Sequence, residues 1–265
     1  MAPEDGAALA LVAGAEWSLP AGAARHAQVR RVQPGDTLRL FDGSGLDWQA
    51  EVLAMGRSEV RVRIGMPLAA VAELPVHVTL ALGMPANERM DTVLEKATEL
   101  GARAIQPLHT ERSVLRLNAE RAEKKRAHWQ AIAEAACEQC GRATVPQVLP
   151  VRQLGDWLGQ FGSPGSLHPP SADGHQDTLR LILSLQPDAQ ALPQRVPVRT
   201  AMPEQTAPAA VLRRVITLNG PEGGLSPDEE ASARRHGFLP TSLGTRVLRA
   251  DTAPLALMSW LAWAG

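Results

Sequence analysis

The sequence predicts an α/β fold, a domain built on a mainly parallel sheet and preceded by a small β module. Three observations predict it. Between residues 25 and 65, short apolar stretches alternate with arginine, as half-buried strands do. From about residue 75 the pattern changes to strands alternating with helices. The strand at 211–218 then runs straight into a glycine-rich turn and a helix start, where open α/β sheets present a ligand loop. At 265 residues the chain is long enough for two modest domains, and we place the division at 1–72 and 73–265.

Taken in order, the N-terminal "GAALALVAG" (6–14) is apolar but too short to span a bilayer, and no basic segment precedes it. With 45% hydrophobic residues and net charge −1, the chain reads as an ordinary cytoplasmic globular protein with no membrane partner. In the β module, "DTLRLFDGSG" (36–45) ends in an Asp-Gly turn, and Val60, Val62 and Ile64 alternate with Arg61 and Arg63. Arg25, Arg30, Arg31 and Arg39 make this the most basic part of the molecule. Any one of these arginines taken alone reads as solvated surface; as a cluster they suit phosphate contacts.

"PVHVTLALGM" (75–84) reads as a buried strand, and Met90, Val93, Leu94, Ala97 and Leu100 follow helical spacing until Gly101 stops it. A short strand "AIQPL" (104–108) and a long helix over roughly 118–140 come next. On that helix Trp129, Ile132, Ala133, Ala136, Cys137 and Cys140 fall on one apolar stripe, so both sulfurs read as buried core atoms. These are the only cysteines, a second ligand pair at metal spacing is absent, and no metal is expected. Further strands are expected at 179–185 and 211–218. The Pro-, Gly-, Ser- and Gln-rich stretches 159–178 and 186–210 read as surface loops.

The turn Gly220-Pro221-Glu222-Gly223-Gly224 leads into Ser226-Pro227-Asp228-Glu229, a capping box with proline at the first helical position. It lacks the P-loop ending and the G-x-G-x-x-G spacing, and Glu222, Asp228 and Glu229 would repel phosphate. A neutral or cationic ligand fits better. In "TSLGTRVLRADTAPLALMSWLAWAG" (241–265), Ser242-Leu243-Gly244 reads as a strand end turning into a loop that carries Arg246 and Arg249. Asp251 or Thr252 can cap a last helix. With Leu255, Leu257, Met258, Trp260, Leu261 and Trp263, that helix is apolar nearly all round and is expected to be buried, in the core or against a second subunit.

Four segments, "LEKATELGARAIQPLHTERS" (94–113), "AACEQCGRATVP" (135–146), "GPEGGLSPDE" (220–229) and "SLGTRVLRADTA" (242–253), together resemble the RsmE family. That family methylates N3 of uridine 1498 in 16S ribosomal RNA and belongs to the SPOUT superfamily of methyltransferases. The resemblance covers about residues 25–265. It implies a PUA-like β-barrel for RNA, then a SPOUT-type domain with a C-terminal trefoil knot. It also implies a homodimer acting on the small ribosomal subunit, with S-adenosylmethionine (SAM) bound in the knot. By position, the cofactor site would draw on Leu185, Gln186 and Pro187, on Leu218, Asn219, Gly220, Pro221, Glu222, Gly223 and Gly224, and on Ser242, Leu243, Gly244, Arg246, Val247 and Leu248. The chain departs from the family at Asn219, usually aliphatic, at Ala250-Asp251, usually Thr-Glu, and at Pro254, commonly Ala.

Methyl transfer to uracil N3 needs the nitrogen in line with the S–methyl bond and its proton removed. Arg112, Arg142, Arg246 and Arg249 are the candidates to stabilise the resulting charge on the uracil oxygens. Glu138 and Glu222 are the candidate bases. RNA contacts are expected from Arg25, Arg30, Arg31, Arg61 and Arg63, with Arg112 beside them. The rival readings are another SPOUT methyltransferase acting on transfer RNA or a ribose hydroxyl, an RNA-binding assembly factor without catalysis, and a thiol oxidoreductase built on Cys137 and Cys140.

Overall fold

The computed structural model describes residues 11–57, 59–69, 73–161, 178–196 and 214–264. The chain divides into two compact units, Met1–Glu73 with Gly141–Val145, and Leu74–Cys140 with Pro146–Gly265.

In the first unit, β1 (Glu16–Ser18), β2 (Thr37–Phe41), β3 (Asp47–Met55) and β4 (Val60–Leu68) form an antiparallel sheet in the order β1-β4-β3-β2. Val60, Val62 and Ile64 point into its core and Arg61 and Arg63 out of it, as the alternation predicts. The expectation of strands from residue 25 onward is corrected at its start, because α1 occupies Ala21–Val29. Ala21, Ala23, Ala24 and Ala27 favour helix, and Ala24 and Ala27 lie on Ala50, Val52 and Val62. After the helix, Arg31 takes a left-handed φ of 56°, the place that glycine usually fills. Residues 141–145 belong to this unit, where buried Arg142 forks onto Glu73, with Nε 3.1 Å from Oε1.

The second unit runs β5 (His77–Gly83), α2 (Asn87–Glu99), β6 (Ala104–His109), α3 (Ala119–Cys140), β7 (Gln147–Val148), β8 (Arg152–Gln153), α4 (Leu154–Gly159), β9 (Thr178–Leu183), β10 (Gln190–Ala191), α5 (Leu192–Arg195), β11 (Arg214–Asn219), α6 (Pro227–Arg235), β12 (Leu239–Ser242) and α7 (Thr252–Ala264). Its sheet has the order β10-β12-β9-β11-β5-β6-β7, with β8 also on β6, and every pairing is parallel. Both faces are covered, which is why the strands read as apolar runs. Val78, Leu80 and Leu82 meet Met90, Leu94, Trp129 and Leu257 on one side. Ala81, Ile182 and Leu218 meet Leu158, Ala233 and Phe238 on the other.

Three expectations are refined. The stretch 186–210 is not all loop, since β10 and α5 occupy 190–195. Cys137 is buried but Cys140 only half-buried, at the last residue of α3 where the stripe runs out. On α7, Leu257, Met258 and Leu261 are buried and Trp260 Nε1 donates to Val196 O at 2.8 Å, yet Trp263 is 84% exposed. Among the described residues no helix is long and apolar enough to cross a membrane, and no group of three His, Cys, Asp or Glu side chains could hold a metal ion. The segments 6–10, 162–177 and 197–213 lie outside the described residues.

Candidate active site

Strands β12, β9 and β11 are neighbours and parallel, so the loops that follow them leave one edge of the sheet. The topology thereby brings together segments far apart in sequence: Leu185, Gln186 and Pro187 after β9, Leu218 to Gly224 at the end of β11, and Ser242 to Leu248 after β12. Ser184, where β9 ends, donates through Oγ to Glu230 at 2.8 Å and accepts from Gln186 N at 3.1 Å, which fixes the first of these loops.

The loop after β11 is tightly folded. A Cβ on Gly220 would lie 2.5 Å from Gly224 C and Leu225 N, so the chain crosses itself where only glycine fits. Gly224 N donates to Pro221 O at 2.8 Å, and Gly224 has φ 68°. Gly83, at the end of β5, leaves room for Pro221, whose Cδ would lie 2.7 Å from a Cβ there. Three side chains then clamp the loop. Arg112 Nη1 donates to Gly223 O at 2.9 Å and to Leu225 O at 3.4 Å. Glu229 completes the predicted capping box with Ser226 and also accepts from Glu111 N at 2.7 Å. Glu222 Oε1 accepts from Ala86 N at 3.0 Å, at the start of α2, and lies 3.3 Å from Arg89 Nη1.

These contacts change what the sequence suggested for several residues. Glu222, expected to face a ligand's positive end or to act as a base, has its carboxylate on a helix N-terminus and on Arg89, a pairing with the helix dipole of about 0.3–1 kcal/mol. Arg112, expected at RNA or at a developing negative charge, bonds loop carbonyls. Arg142 is held by Glu73 in the first unit, away from solvent. Glu138 is exposed on α3. The sequence reading missed Gly83, Ala86 and Arg89; the glycine ending an apolar strand was the signal for the first.

The last loop holds itself by a Ser242 turn, Gly244 N donating to Ser242 Oγ at 3.2 Å with Gly244 at φ 116°. Asn219 Nδ2 reaches Ala250 O at 3.3 Å and so joins the end of β11 to this loop. Arg249 O accepts from Thr252 N and Ala253 N, both at 3.0 Å, which places Arg249 at the start of α7. Arg246 and Arg249 are exposed and have no ion pair among the described residues. Leu185 and Val247 are exposed as well. At the end of β11 and just before α7, Asn219 Oδ1 and Asp251 Oδ1 are buried acceptors without a hydrogen-bond partner among the described residues. Orphan acceptors of this kind fit a ligand that brings N–H and O–H donors.

In the first unit the arginines fall into two sets. Arg63 lies 3.1 Å from Glu16 and 3.5 Å from Glu51, Arg61 is 3.9 Å from Glu16, and Arg39 pairs with Asp47. Arg25, Arg30 and Arg31 are exposed and carry no ion pair among the described residues. The first set already lies beside carboxylates, and the second carries its charge without one.

Comparison with known proteins bears on this geometry. A family model described as an RNA methyltransferase domain matches residues 72–262, and one described as an RNA methyltransferase PUA domain matches 19–65. A solved Ribosomal RNA small subunit methyltransferase E from Neisseria gonorrhoeae, bound to S-adenosyl methionine, is 33% identical, with a TM-score of 0.78 over 96% of this chain and 94% of that one. A Legionella pneumophila protein solved with bound SAM is 31% identical, with a TM-score of 0.78 over 95% of this chain and 93% of that one. Ribosomal RNA small subunit methyltransferase E of Synechocystis is 31% identical over 234 residues, 88% of this chain and 67% of that protein. The fold is the SPOUT-type α/β architecture with a PUA domain that the four sequence segments led one to expect, and the chain belongs to the RsmE family of RNA methyltransferases.

Proposed function

We propose that this protein binds SAM at the β9, β11 and β12 loops and methylates N3 of uridine 1498 in 16S ribosomal RNA of the small subunit. The observation that carries the reading is the convergence of these loops at one sheet edge, with orphan acceptors on Asn219 at the end of β11 and on Asp251 before α7, in a chain similar to SAM-bound structures. Bound SAM supplies an electrophilic methyl group on a sulfonium. The orphan oxygens of Asn219 and Asp251 suit its amino and hydroxyl donors, and Gly220 lets the loop fold closely enough to meet it. Uracil N3 is a weak nucleophile until its proton leaves to solvent water, and the charge then spreads to the neighbouring carbonyl oxygens. Arg246 and Arg249, exposed and without an ion pair among the described residues, are the groups that stabilise it. Glu222 and Arg112 are positioning residues. Mass spectrometry of 16S rRNA from cells lacking this protein tests the reading: one 3-methyluridine is expected to disappear and to return on complementation, and its persistence would refute the assignment.

The PUA domain, which we assign to 1–72, holds the RNA through Arg25, Arg30 and Arg31. The left-handed Arg31 costs roughly 1–2 kcal/mol relative to glycine, and strain of this sort persists where a side chain is needed. Arg31→Gly is therefore expected to raise stability in urea unfolding by about 1 kcal/mol while weakening binding to 16S rRNA and lowering its salt slope. Arg61→Ala, which removes an exposed ion pair, is expected to change both little. Equal effects of the two substitutions on RNA affinity would remove this division. A homodimer is the assembly proposed, with the exposed Trp263 of α7 at the subunit contact. Sedimentation is expected to give twice the chain mass, and less for Trp263→Glu.

A further inference from the structure

We infer that the second unit carries an additional RNA site, a trough over His109 that receives unpaired nucleotides flanking the target. The inference rests on the RNA-methyltransferase reading above. Two clefts, of about 360 and 490 Å³, share His109 and Gln153. The first is closed by Glu111, Arg116 and the starts of α4 and α6, where Ser226 and Asp228 stand. The second lies between Asn118 at the start of α3 and Arg152 before α4. Each falls in the size range of small-ligand pockets, so two successive nucleotides could enter side by side.

The chain between the clefts is built for a strand to lie along it. Leu115 and Leu117 pack against the larger core, while Arg112, Val114, Arg116 and Asn118 are exposed in alternation. Arg112 at its head grips the loop after β11, so the trough starts beside the proposed cofactor site. Its chemistry sorts bases from phosphates. Arg116 gives one N–H to Glu111 O at 2.7 Å, Arg152 gives one to Asp156 O at 3.0 Å and another to Gln160 Oε1 at 3.4 Å, and both keep further N–H groups for phosphate oxygens. Glu111 and Asp228 have exposed carboxylates with no ion pair among the described residues. They disfavour a bare phosphate and accept instead from the amino group of a base such as cytosine. His109 Nδ1 is buried without a partner. Burial first, and then the Arg116 charge, hold this imidazole below its ordinary pKa, against a Leu117 backbone bond, so it lies neutral beneath those base edges and adds no charge to the trough. Only unpaired bases expose these edges, which makes single-stranded RNA the occupant.

The test is filter binding of 16S rRNA extracted from cells lacking the protein, with tetracytidylate and tetrauridylate as competitors and SAM calorimetry on every variant. Arg116→Ala/Arg152→Ala is expected to weaken rRNA binding about tenfold or more with SAM affinity unchanged. Tetracytidylate is expected to compete about tenfold better than tetrauridylate, and Asp228→Asn/Glu111→Gln to erase that preference. If the wild type binds rRNA and the arginine variant, with normal SAM affinity, binds it equally well, the trough is overturned. So it is if the wild type shows no preference between the tetranucleotides. Wild-type protein that fails to bind 16S rRNA at all overturns the functional reading, and the trough with it.

Discussion

Gly220→Ala is expected to weaken SAM binding at least about 100-fold, the loss of roughly 2.7 kcal/mol or more, while leaving the fold intact. The added methyl would stand 2.5 Å from Gly224 C and Leu225 N and 2.8 Å from Gly224 Cα. All three are backbone atoms, so no rotamer change relieves the clash. The turn has to open, and with it move the two carbonyls that Arg112 grips and the Ser226 cap of α6. Neighbouring glycines set a graded control. Gly224→Ala meets open space and suffers only the strain of φ 68°, about 1–2 kcal/mol. Gly223→Ala meets the Arg112 side chain at 3.2 Å, which can give way. Calorimetry should therefore rank the losses 220 well above 224 and 223. Equal damage at Gly223 and Gly220 would mean that the fold of this loop is not what admits the ligand.

That ranking shows where the sequence was legible and where it was not. The capping box at Ser226, the proline after it and the helix beyond are written within a few residues, and all form as read. The same holds for the arginine alternation of β4. What escaped is long-range. From the sequence Gly223 looks like a glycine kept for a ligand, yet its neighbour is Arg112, more than a hundred residues away along the chain. Glu222 reads as a charge waiting for a cation, and its partners are Ala86 and Arg89 of α2. Arg61 and Arg63 read as free basic residues because Glu16 comes opposite them only when β1 pairs with β4. The helix at 21–29 is hidden for a different reason: Arg25, Arg30 and Arg31 share the charge of the strand arginines, although the alanines around them carry the helix signal. The resemblance of four segments supplied the family, since spacing alone names a ligand loop without naming its ligand.

Arg249→Ala is expected to lower kcat about 10²–10³-fold, the range seen when one donor to a developing oxyanion is removed, with KM for RNA little changed. The preference for Arg249 over Arg246 is positional. Its carbonyl accepts from Thr252 and Ala253, so its backbone is pinned to the first turn of α7, and α7 is anchored through buried Leu257, Met258 and Leu261. A guanidinium carried on a fixed element keeps its aim, and the positive end of the helix dipole adds to its charge. In the proposed reaction the uracil is neutral when it binds and anionic only as its N3 proton leaves, so that combined field would act mainly in the transition state. Arg249→Lys should recover part of kcat, since charge is restored without the planar fork. Steady-state kinetics on small subunits from cells lacking the protein measures both constants. A raised KM with unchanged kcat would make Arg249 a residue that holds RNA, and the charge on uracil would then have to be met by Arg246.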